Sequence, residues 1–237
     1  MNNEQQNTVL KILSEKWHHD LTHLDDQTLI LLDETQFLRF AIFGNAAVIW
    51  ANSELFAWAK AKFSTAKAIN LADGSNLYLA EKKLREYGMQ LAGEHIRFFH
   101  QEPRVVSPPA IDLQYRLFTA EEISILQQNS GFNHALNYDQ DVLALVAYDG
   151  DKIAAVAGAD DCMNPMWQIG IDTLAEYRGQ GIASYLVNRL ADEIEAKGKI
   201  AFYTTWSSNI ASMRTALAAG FLPFYTEYFA VNLKKEE

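Results

Sequence analysis

The stretch EYRGQGIA, Glu176–Ala183, places two glycines directly ahead of a strongly patterned segment. Apolar residues recur at every fourth position from Ile182 to Ile194, which predicts an amphipathic helix over 181–197 that ends at Gly198. The first N–H groups of a helix have no partner within the helix, and the helix dipole makes that end positive. Glycines let a diphosphate approach these N–H groups closely, so the stretch is either a phosphate site or an ordinary turn.

Two familiar phosphate-binding loops do not fit the stretch. A Walker loop ends in Gly-Lys-Ser/Thr, and the dinucleotide fingerprint requires three glycines. The pattern here is Arg-x-x-Gly-x-Ala, from Arg178 to Ala183, and the guanidinium of Arg178 can add a charged fork for phosphate oxygens. Since glycines before helices usually form only turns, the neighbouring elements decide the interpretation.

Strand and helix patterns alternate on both sides of the turn. Asp149-Gly150 lies between two strand patterns and predicts a hairpin, and a further strand over 166–174 leads into the turn. The helix is followed by a strand at 200–206, a helix over 209–220 and one or two closing strands. The predicted order for residues 111–237 is therefore β-α-β-β-β-α-β-α-β.

In this context the motif resembles that of the GNAT family of acetyltransferases. The family motif is Gln/Arg-x-x-Gly-x-Gly/Ala, and its later landmark, an asparagine followed by a helix that ends in Gly-Phe, is matched by Asn209 and Gly220-Phe221. The resemblance covers 111–237. It implies an α/β (α+β) fold whose mixed central sheet is splayed between two parallel strands, and acetyl-CoA as the acetyl donor.

A proline-rich segment, EPRVVSPP at 102–109, predicts a linker, because it holds three of the five prolines of the chain. We therefore expect a smaller N-terminal α+β domain at 1–104, a linker at 105–110 and the GNAT domain at 111–237. The N-terminal domain is expected to cover one side of the acceptor site.

The N-terminal half contains no motif that names a chemistry. Residues 37–51 are aromatic and β-branched on both sides of Gly44-Asn45, which predicts a hairpin, and Ser53 is the predicted N-cap of the next helix. His19 and His23 have the i, i+4 spacing of metal ligands. Without a third ligand, a solvated segment is the better interpretation, and no metal site is predicted.

The resemblance also assigns residues to the cofactor. It implies that pantetheine pairs with the backbone of Ile171 and Thr173, and that the pyrophosphate rests on N–H groups of 179–184. The expected cofactor-binding residues are Ile171, Thr173, Arg178, Gly179, Gln180, Gly181, Ile182, Ala183, Ser184 and Asn209.

The acid that would protonate the departing thiolate is missing from its usual place. The family often uses a tyrosine seven residues after the asparagine, and that position is Ala216 here. Tyr225 and Tyr228 are substitutes, although aromatic residues of closing strands usually pack.

Four acidic residues are candidates for the base that accepts the amine proton: Asp160, Asp161, Asp172 and Glu176. We select Asp172, which lies near the end of the strand before the turn. Strand alternation places its side chain opposite Ile171 and Thr173, although a bulge could re-aim it. The alternative is that Asp172 ties down the turn. In some family members the base lies six residues before Thr173, but Trp167 there cannot serve.

Composition limits the partners. The net charge is −10, mostly within 111–237, which argues against a nucleic-acid partner and suits a cationic amine substrate.

No apolar run approaches the roughly 18 residues of a membrane span. The N-terminus lacks a signal-peptide pattern, and Cys162, the single cysteine, excludes an internal disulfide and is expected to be a small packed residue. A cytoplasmic location is expected.

We therefore expect a cytoplasmic, acetyl-CoA-dependent N-acetyltransferase that acts on a small-molecule or peptide amine by direct attack in a ternary complex. The first alternative is a non-catalytic acyl-CoA-binding sensor, which the missing tyrosine favours. The second is an aminoacyl transferase built of two GNAT-like halves, which would require a basic surface for charged tRNA. The sequence identifies neither the acceptor nor the oligomeric state.

Overall fold

The computed structural model describes residues 3–24, 27–100, 105–128, 131–137 and 139–233. The chain divides into two compact units. Of the described residues, unit I contains those within Glu4–Arg97 and 224–233, and unit II contains Asn3 and those within Phe98–Pro223. No helix in the described part of the chain combines the length and the apolarity needed to cross a lipid bilayer.

Unit I combines helices with a mixed sheet. Its helices are α1 (Asn3–Lys16), α2 (Ser53–Phe63) and α3 (Gly74–Arg85). Its strands are β1 (Thr28–Leu32), β2 (Leu38–Phe43), β3 (Ala46–Ala51), the larger part of β4 (Met89–His100) and most of β10 (Phe221–Asn232), in the order β1-β3-β2-β10-β4. The predicted hairpin at 37–51 is confirmed, because β2 and β3 pair antiparallel on either side of Gly44-Asn45.

The core of unit I forms where one stripe of α2 meets the inward side chains of the sheet. Leu55, Ala59 and Phe63 lie one turn apart on α2 and are fully buried with residues of β2 and β3. The predicted cap at Ser53 is wrong by one residue. Asn52 Oδ1 accepts the N–H of Leu55 at 3.1 Å, because an amide side chain one residue earlier reaches the same donor.

Unit II follows the predicted order of elements. They are β5 (Gln114–Thr119), α4 (Ala120–Ile123) with a 3₁₀ turn (Ser124–Gln128), β6 (Asp141–Asp149), β7 (Lys152–Met163), β8 (Met166–Thr173), a 3₁₀ turn (Ala175–Tyr177), α5 (Ile182–Ala196), β9 (Ile200–Trp206) and α6 (Ile210–Ala218). The strand order is β4-β9-β8-β7-β6-β5.

The parallel strands β8 and β9 separate halfway along their length, as the predicted splayed sheet requires. Their pairing runs from Met166↔Ile200 to Ile169↔Tyr203 and then stops. On its other side, β8 remains paired with β7 as far as Thr173. Beyond Ile169, the edge of β8 that faces β9 therefore has no strand partner among the described residues.

The two units divide the chain differently from the predicted domains. Residues 102–104, at the end of the predicted N-terminal domain, lie outside the described residues. The linker predicted at 105–110 belongs to unit II, and the chain from Phe224 onward belongs to unit I instead of the domain predicted at 111–237. The reason is that β4 and β10 are long strands, and each contributes residues to both units.

Candidate active site

The glycine turn has the backbone of a helix start that only glycine adopts without strain. Gly179 has a φ of 74° and Gly181 a φ of 81°, and a Cβ on either would have nothing within 4 Å. Gly181 is the N-cap of α5 and offers no side chain to the first turn. In the described chain, no group accepts the N–H groups of Ile182, Ala183 or Ser184. Three donors thus face open space at the positive end of α5.

Local hydrogen bonds hold the turn in place. Arg178 Nε donates to the Thr173 carbonyl at 3.1 Å, and Gln180 Nε2 donates to the Glu176 carbonyl at 3.3 Å. Ser184 Oγ donates to the Gly181 carbonyl at 2.9 Å. Arg178 is therefore anchored to the end of β8 through Nε, which leaves the terminal nitrogens of its exposed guanidinium outside that bond.

Thr173 contributes an unsatisfied polar atom to the same region. Its Oγ1 is buried and lacks a partner among the described residues and their side chains. A buried hydroxyl without a partner costs roughly 1–3 kcal/mol, so this atom marks a place where a ligand can contribute a hydrogen bond. Ile171 and Thr173 alternate with Asp172 and so share one face of β8.

Asp172 lies on the opposite face and holds a loop. Its Oδ2 accepts the backbone N–H groups of His134 at 2.8 Å and Ala135 at 2.9 Å. The loop, residues 131–137, lies directly on the sheet, because a Cβ on Gly170 would be 2.3 Å from the His134 carbonyl oxygen. A Cβ on Gly158 would be 2.0 Å from that of Ala135. The structure therefore gives Asp172 an anchoring contact and leaves Oδ1 outside these two bonds.

The other predicted bases occupy exposed or edge positions. Glu176 is exposed and pairs with Lys152, whose ammonium lowers the pKa of the carboxyl group. Asp160 accepts the N–H of Cys162 at 3.1 Å near the end of β7, and Asp161 is exposed. The prediction that Cys162 is packed is wrong: it is exposed, because β7 extends beyond its last pair with β6 there.

Asp141 is an acidic residue that the sequence analysis missed. It is 8% exposed, and its Oδ2 accepts the N–H of Asn137 at 2.6 Å. Burial raises the pKa of Asp141 to about 7, the N–H of Asn137 opposes this, and the charge of Asp160 on the paired strand adds to it. Asp141 and Asp172 thus hold two points of the same loop. A charged residue at the start of an apolar strand gives no local sign of its burial.

The predicted acids Tyr225 and Tyr228 belong to unit I and are buried. The ring of Tyr225 packs against Phe43, and burial raises its pKa. Burial and Glu94 raise the pKa of Tyr228 to about 12, and its ring lies in the core of unit I. Both tyrosines pack, as aromatic residues of closing strands commonly do.

The remaining predicted residues, Asn209 and Ala216, lie at the start of helix α6 and within it. Asn209 Oδ1 accepts the N–H of Ser212 at 3.1 Å, so Asn209 is the N-cap of the helix. Ala216, at the usual tyrosine position, is fully buried. Ser212 Oγ lies 2.7 Å from the hydroxyl of Tyr203 on β9. The sequence analysis missed this pair, because the strand pattern at 200–206 predicts only a buried ring.

Metal-type ligands come together at a place that the histidine spacing did not indicate. Within the described chain, the group found is His100, Asp192 and Glu195, whose ligand atoms lie within 4.8 Å of one another; it does not include His19 or His23. His100 Nδ1 is 2.9 Å from Glu195 Oε1, and Asn188 Nδ2 is 3.3 Å from Nε2. The Asn188 amide is placed to donate to Nε2, and the Nδ1 side of the ring faces the carboxylate of Glu195. The arrangement is that of a buried histidine held by hydrogen bonds.

Residues 110–221 match the model of the Acetyltransferase (GNAT) family. This segment of the chain is therefore a GNAT-family domain, as the motif predicted, and its mixed α/β fold is that of unit II. No protein of curated function matches the chain.

Several solved structures resemble the chain. A GNAT-family acetyltransferase from Colwellia psychrerythraea is 17% identical, with 59% of this chain and 56% of that chain covered and a TM-score of 0.44. A GCN5-related N-acetyltransferase-like protein from Streptococcus suis 89/1591 is 14% identical, with 67% and 69% covered and a TM-score of 0.49. A GCN5-related N-acetyltransferase from Kribbella flavida is 16% identical, with 64% and 63% covered and a TM-score of 0.49.

Proteins of this family bind acetyl-CoA, and the residues of unit II fit that molecule. The free edge of β8 offers backbone partners beyond Ile169, and Thr173 Oγ1 is buried without a partner among the described residues. The N–H groups at the start of α5 and the open space at Gly179 and Gly181 suit a diphosphate. These features lie on consecutive elements, β8, the turn and α5.

Proposed function

We propose that the chain is an acetyl-CoA-dependent N-acetyltransferase that acts on a primary amine by direct attack in a ternary complex. The observation that carries the proposal is the unpaired edge of β8, which leads directly into the unpaired N–H groups of α5. The negative net charge supports a cationic acceptor, either a small molecule or a peptide. The proposal places the protein in the cytoplasm.

When bound, acetyl-CoA supplies an activated acetyl thioester. In the proposal, the backbone of Ile171 and Thr173 pairs with the pantetheine arm, and the N–H groups of 179–184 bind the pyrophosphate. Arg178 adds positive charge beside them. Asn209 acts through α6, whose first turn its side chain caps. These groups bind and orient the donor, which is the larger part of the catalysis that an amine acceptor requires.

The second part of the proposal concerns the amine proton. Both hydrogen bonds that Asp172 accepts from the described 131–137 loop go to Oδ2, and in the proposal Oδ1 receives the proton of the ammonium group. The donor then pairs along the free edge of β8, whereas the side chain of Asp172 points to the face opposite those of Ile171 and Thr173. Asp172 is the proposed base, and it takes one proton from the ammonium form of the acceptor.

An assay of thiol release from acetyl-CoA against a panel of amines tests the activity. Release above the amine-free rate for at least one amine supports the enzyme. If calorimetry shows that acetyl-CoA binds but no amine is acetylated, the enzymatic function is contradicted and the acyl-CoA sensor is favoured. The buried Ala216 at the usual position of the acid supports that alternative. Failure to bind acetyl-CoA contradicts both functions.

A further inference from the structure

Tyr203 occupies the point at which β8 and β9 separate. It is the last residue of β9 that pairs with β8, opposite Ile169, and the strands part immediately after it. Its ring is 3% exposed and packs near Phe221 at a centroid distance of 6.1 Å. The fold thus fixes a phenol at the fork of the sheet.

The hydroxyl of Tyr203 is held by a polar partner on a capped helix. Tyr203 Oη and Ser212 Oγ are 2.7 Å apart, and the N–H of Ser212 is bound by the cap residue Asn209. Ala216 follows Ser212 by one helical turn and therefore shares its face of α6. Ala216 has no hydroxyl group, and the phenol of Tyr203 contacts this face of the helix through Ser212.

The phenol lies on the same face of the sheet as the unpartnered hydroxyl of Thr173, next to the free edge of β8. Paired residues on neighbouring strands direct their side chains to one face, so Tyr203 shares a face with Ile169 and, by alternation, with Ile171 and Thr173. Asp172 is on the other face, as its bonds to the 131–137 loop show independently. A proton donor and a proton acceptor thus flank the end of β8 on opposite sides.

We propose that Tyr203 donates the proton to the thiolate that departs during acetyl transfer, and that Ser212 is the residue that positions its hydroxyl. This inference rests on the proposed function. In the reaction, a C–N bond forms, the C–S bond breaks, and the electron pair of that bond leaves with sulfur. The ammonium form of the acceptor loses two protons: the first passes to Asp172 and from there to solvent, and the second leaves nitrogen once the C–N bond has formed. Tyr203 delivers one proton to sulfur and regains one from solvent, which takes up the second amine proton, so charge and atoms balance.

The protonation state of Tyr203 agrees with this role. Burial raises its pKa, the hydrogen bond to Ser212 opposes this rise without cancelling it, and the negative charge of Asp172 adds to it. The phenol therefore stays protonated at neutral pH and remains a donor. A hydrogen bond from a neutral donor to a thiolate is charge-assisted, which lowers the pKa of the thiol that receives it.

Binding of CoA tests the inference without any acceptor. The affinities for CoA and for desulfo-CoA, which lacks the sulfur, are measured by calorimetry between about pH 7 and about pH 9.5, a range that spans the ordinary thiol pKa of about 8.5. In the wild type, the ratio of the two affinities should rise with pH, because the thiolate is the better acceptor. In Tyr203→Phe, which keeps the ring, the increase of this affinity ratio over the pH range should be about tenfold smaller than in the wild type.

Two further variants complete the experiment. Ser212→Ala should shrink the rise by less than Tyr203→Phe, since the hydroxyl remains but loses its partner. Tyr148→Phe, in β6 of the same unit, should leave the rise unchanged. An equal rise in the wild type and Tyr203→Phe overturns the inference while leaving the proposed function intact, and absence of CoA binding to the wild type overturns both. If Tyr203→Phe fails to fold, an unchanged rise in Ser212→Ala overturns the assigned contact.

Discussion

Two carboxylates, Asp141 and Asp172, hold one loop by similar hydrogen bonds but differ in environment. Asp141 accepts one backbone N–H group and is buried, and Asp172 accepts two. Burial disfavours the charged form of an acid, and hydrogen bonds from N–H groups favour it. At Asp141 burial prevails, and its pKa is raised to about 7. The 131–137 loop is therefore tied to the sheet by one group that titrates near neutral pH.

This titration predicts a pH dependence of stability. The folded-state pKa of Asp141 is raised above the unfolded value of about 3.9, so the folded state binds more protons between these two values. The free energy of unfolding should therefore fall as the pH rises from about 4 to about 7. Discounted for partial solvation, the fall is about 1–2 kcal/mol. Asp141→Asn should remove it in urea titrations at both ends of this range, and parallel curves for the two proteins would contradict the expectation.

Two variants of Asp172 separate the effect of its negative charge from the effect of its hydrogen bonds to the loop. Asp172→Asn keeps an oxygen that accepts the N–H groups of His134 and Ala135, so the melting temperature should change little. If Asp172 is the base, turnover should drop by about a hundredfold and the acidic limb of the pH-rate profile should disappear. Asp172→Ala should also lower the melting temperature, because both hydrogen bonds to the loop N–H groups are lost. Equal profiles for the wild type and Asp172→Asn would leave Asp172 as an anchor alone.

At the scale of elements, α5 has a glycine in the left-handed region at each end. Gly181 precedes its first turn with a φ of 81°, and Gly198 follows its last with a φ of 69°. Neither would bring an added Cβ within 4 Å of another atom. The two ends differ in what they offer a ligand, because only the N-terminal end presents unpaired donors and positive potential.

Gly181→Val and Gly198→Val form a matched pair on this helix. Both force a branched side chain into positive φ, at a cost of about 1–2 kcal/mol in stability. Gly181→Val should in addition weaken acetyl-CoA binding at least about tenfold, equivalent to about 1.4 kcal/mol, since the side chain enters the space over the N–H groups. Calorimetry on the folded variants measures this. Equal affinities of the two variants for acetyl-CoA would contradict the assignment of the pyrophosphate to the start of α5.

At the scale of the whole molecule, unit I depends on the end of the chain. β10 lies between β2 and β4 in the strand order, and its buried Glu227 binds Arg39 on β2 and Arg97 on β4, the latter at 2.7 Å. Tyr228 lies in the core of the same unit. The GNAT-family match over 110–221 includes none of these four residues.

Truncation tests that dependence. A chain that ends at Pro223 should lose the folded structure of unit I, because β2 and β4 lose their common neighbour and Arg39 loses its carboxylate partner. Hydrogen exchange at the amides of β2 and β3 should accelerate by more than about tenfold. A chain that ends at Leu233 should retain wild-type exchange. Unchanged exchange in the shorter chain would instead support a domain that folds without β10.

Local patterns were sufficient for the turn, for α5 and for the order of elements in unit II. The reason is physical: a helix start, a hairpin and an amphipathic stripe depend on residues within a few positions of one another. The motif at 178–183 was recognisable because a diphosphate site on a helix requires glycines at fixed places in one short segment. The GNAT resemblance followed from that segment and from the order of its neighbours.

Pairings between distant residues were decided only by the tertiary structure. Asp172 meets the N–H of His134, which is 38 residues away, and no strand pattern specifies that contact. The strand pattern around Tyr203 predicts burial but not its place at the fork of the sheet or its hydrogen bond to Ser212. The division of β10 between the units likewise depends on which strands lie beside it. Such contacts are set by the packing of whole elements, because a local sequence pattern determines the face of a strand but not its neighbour.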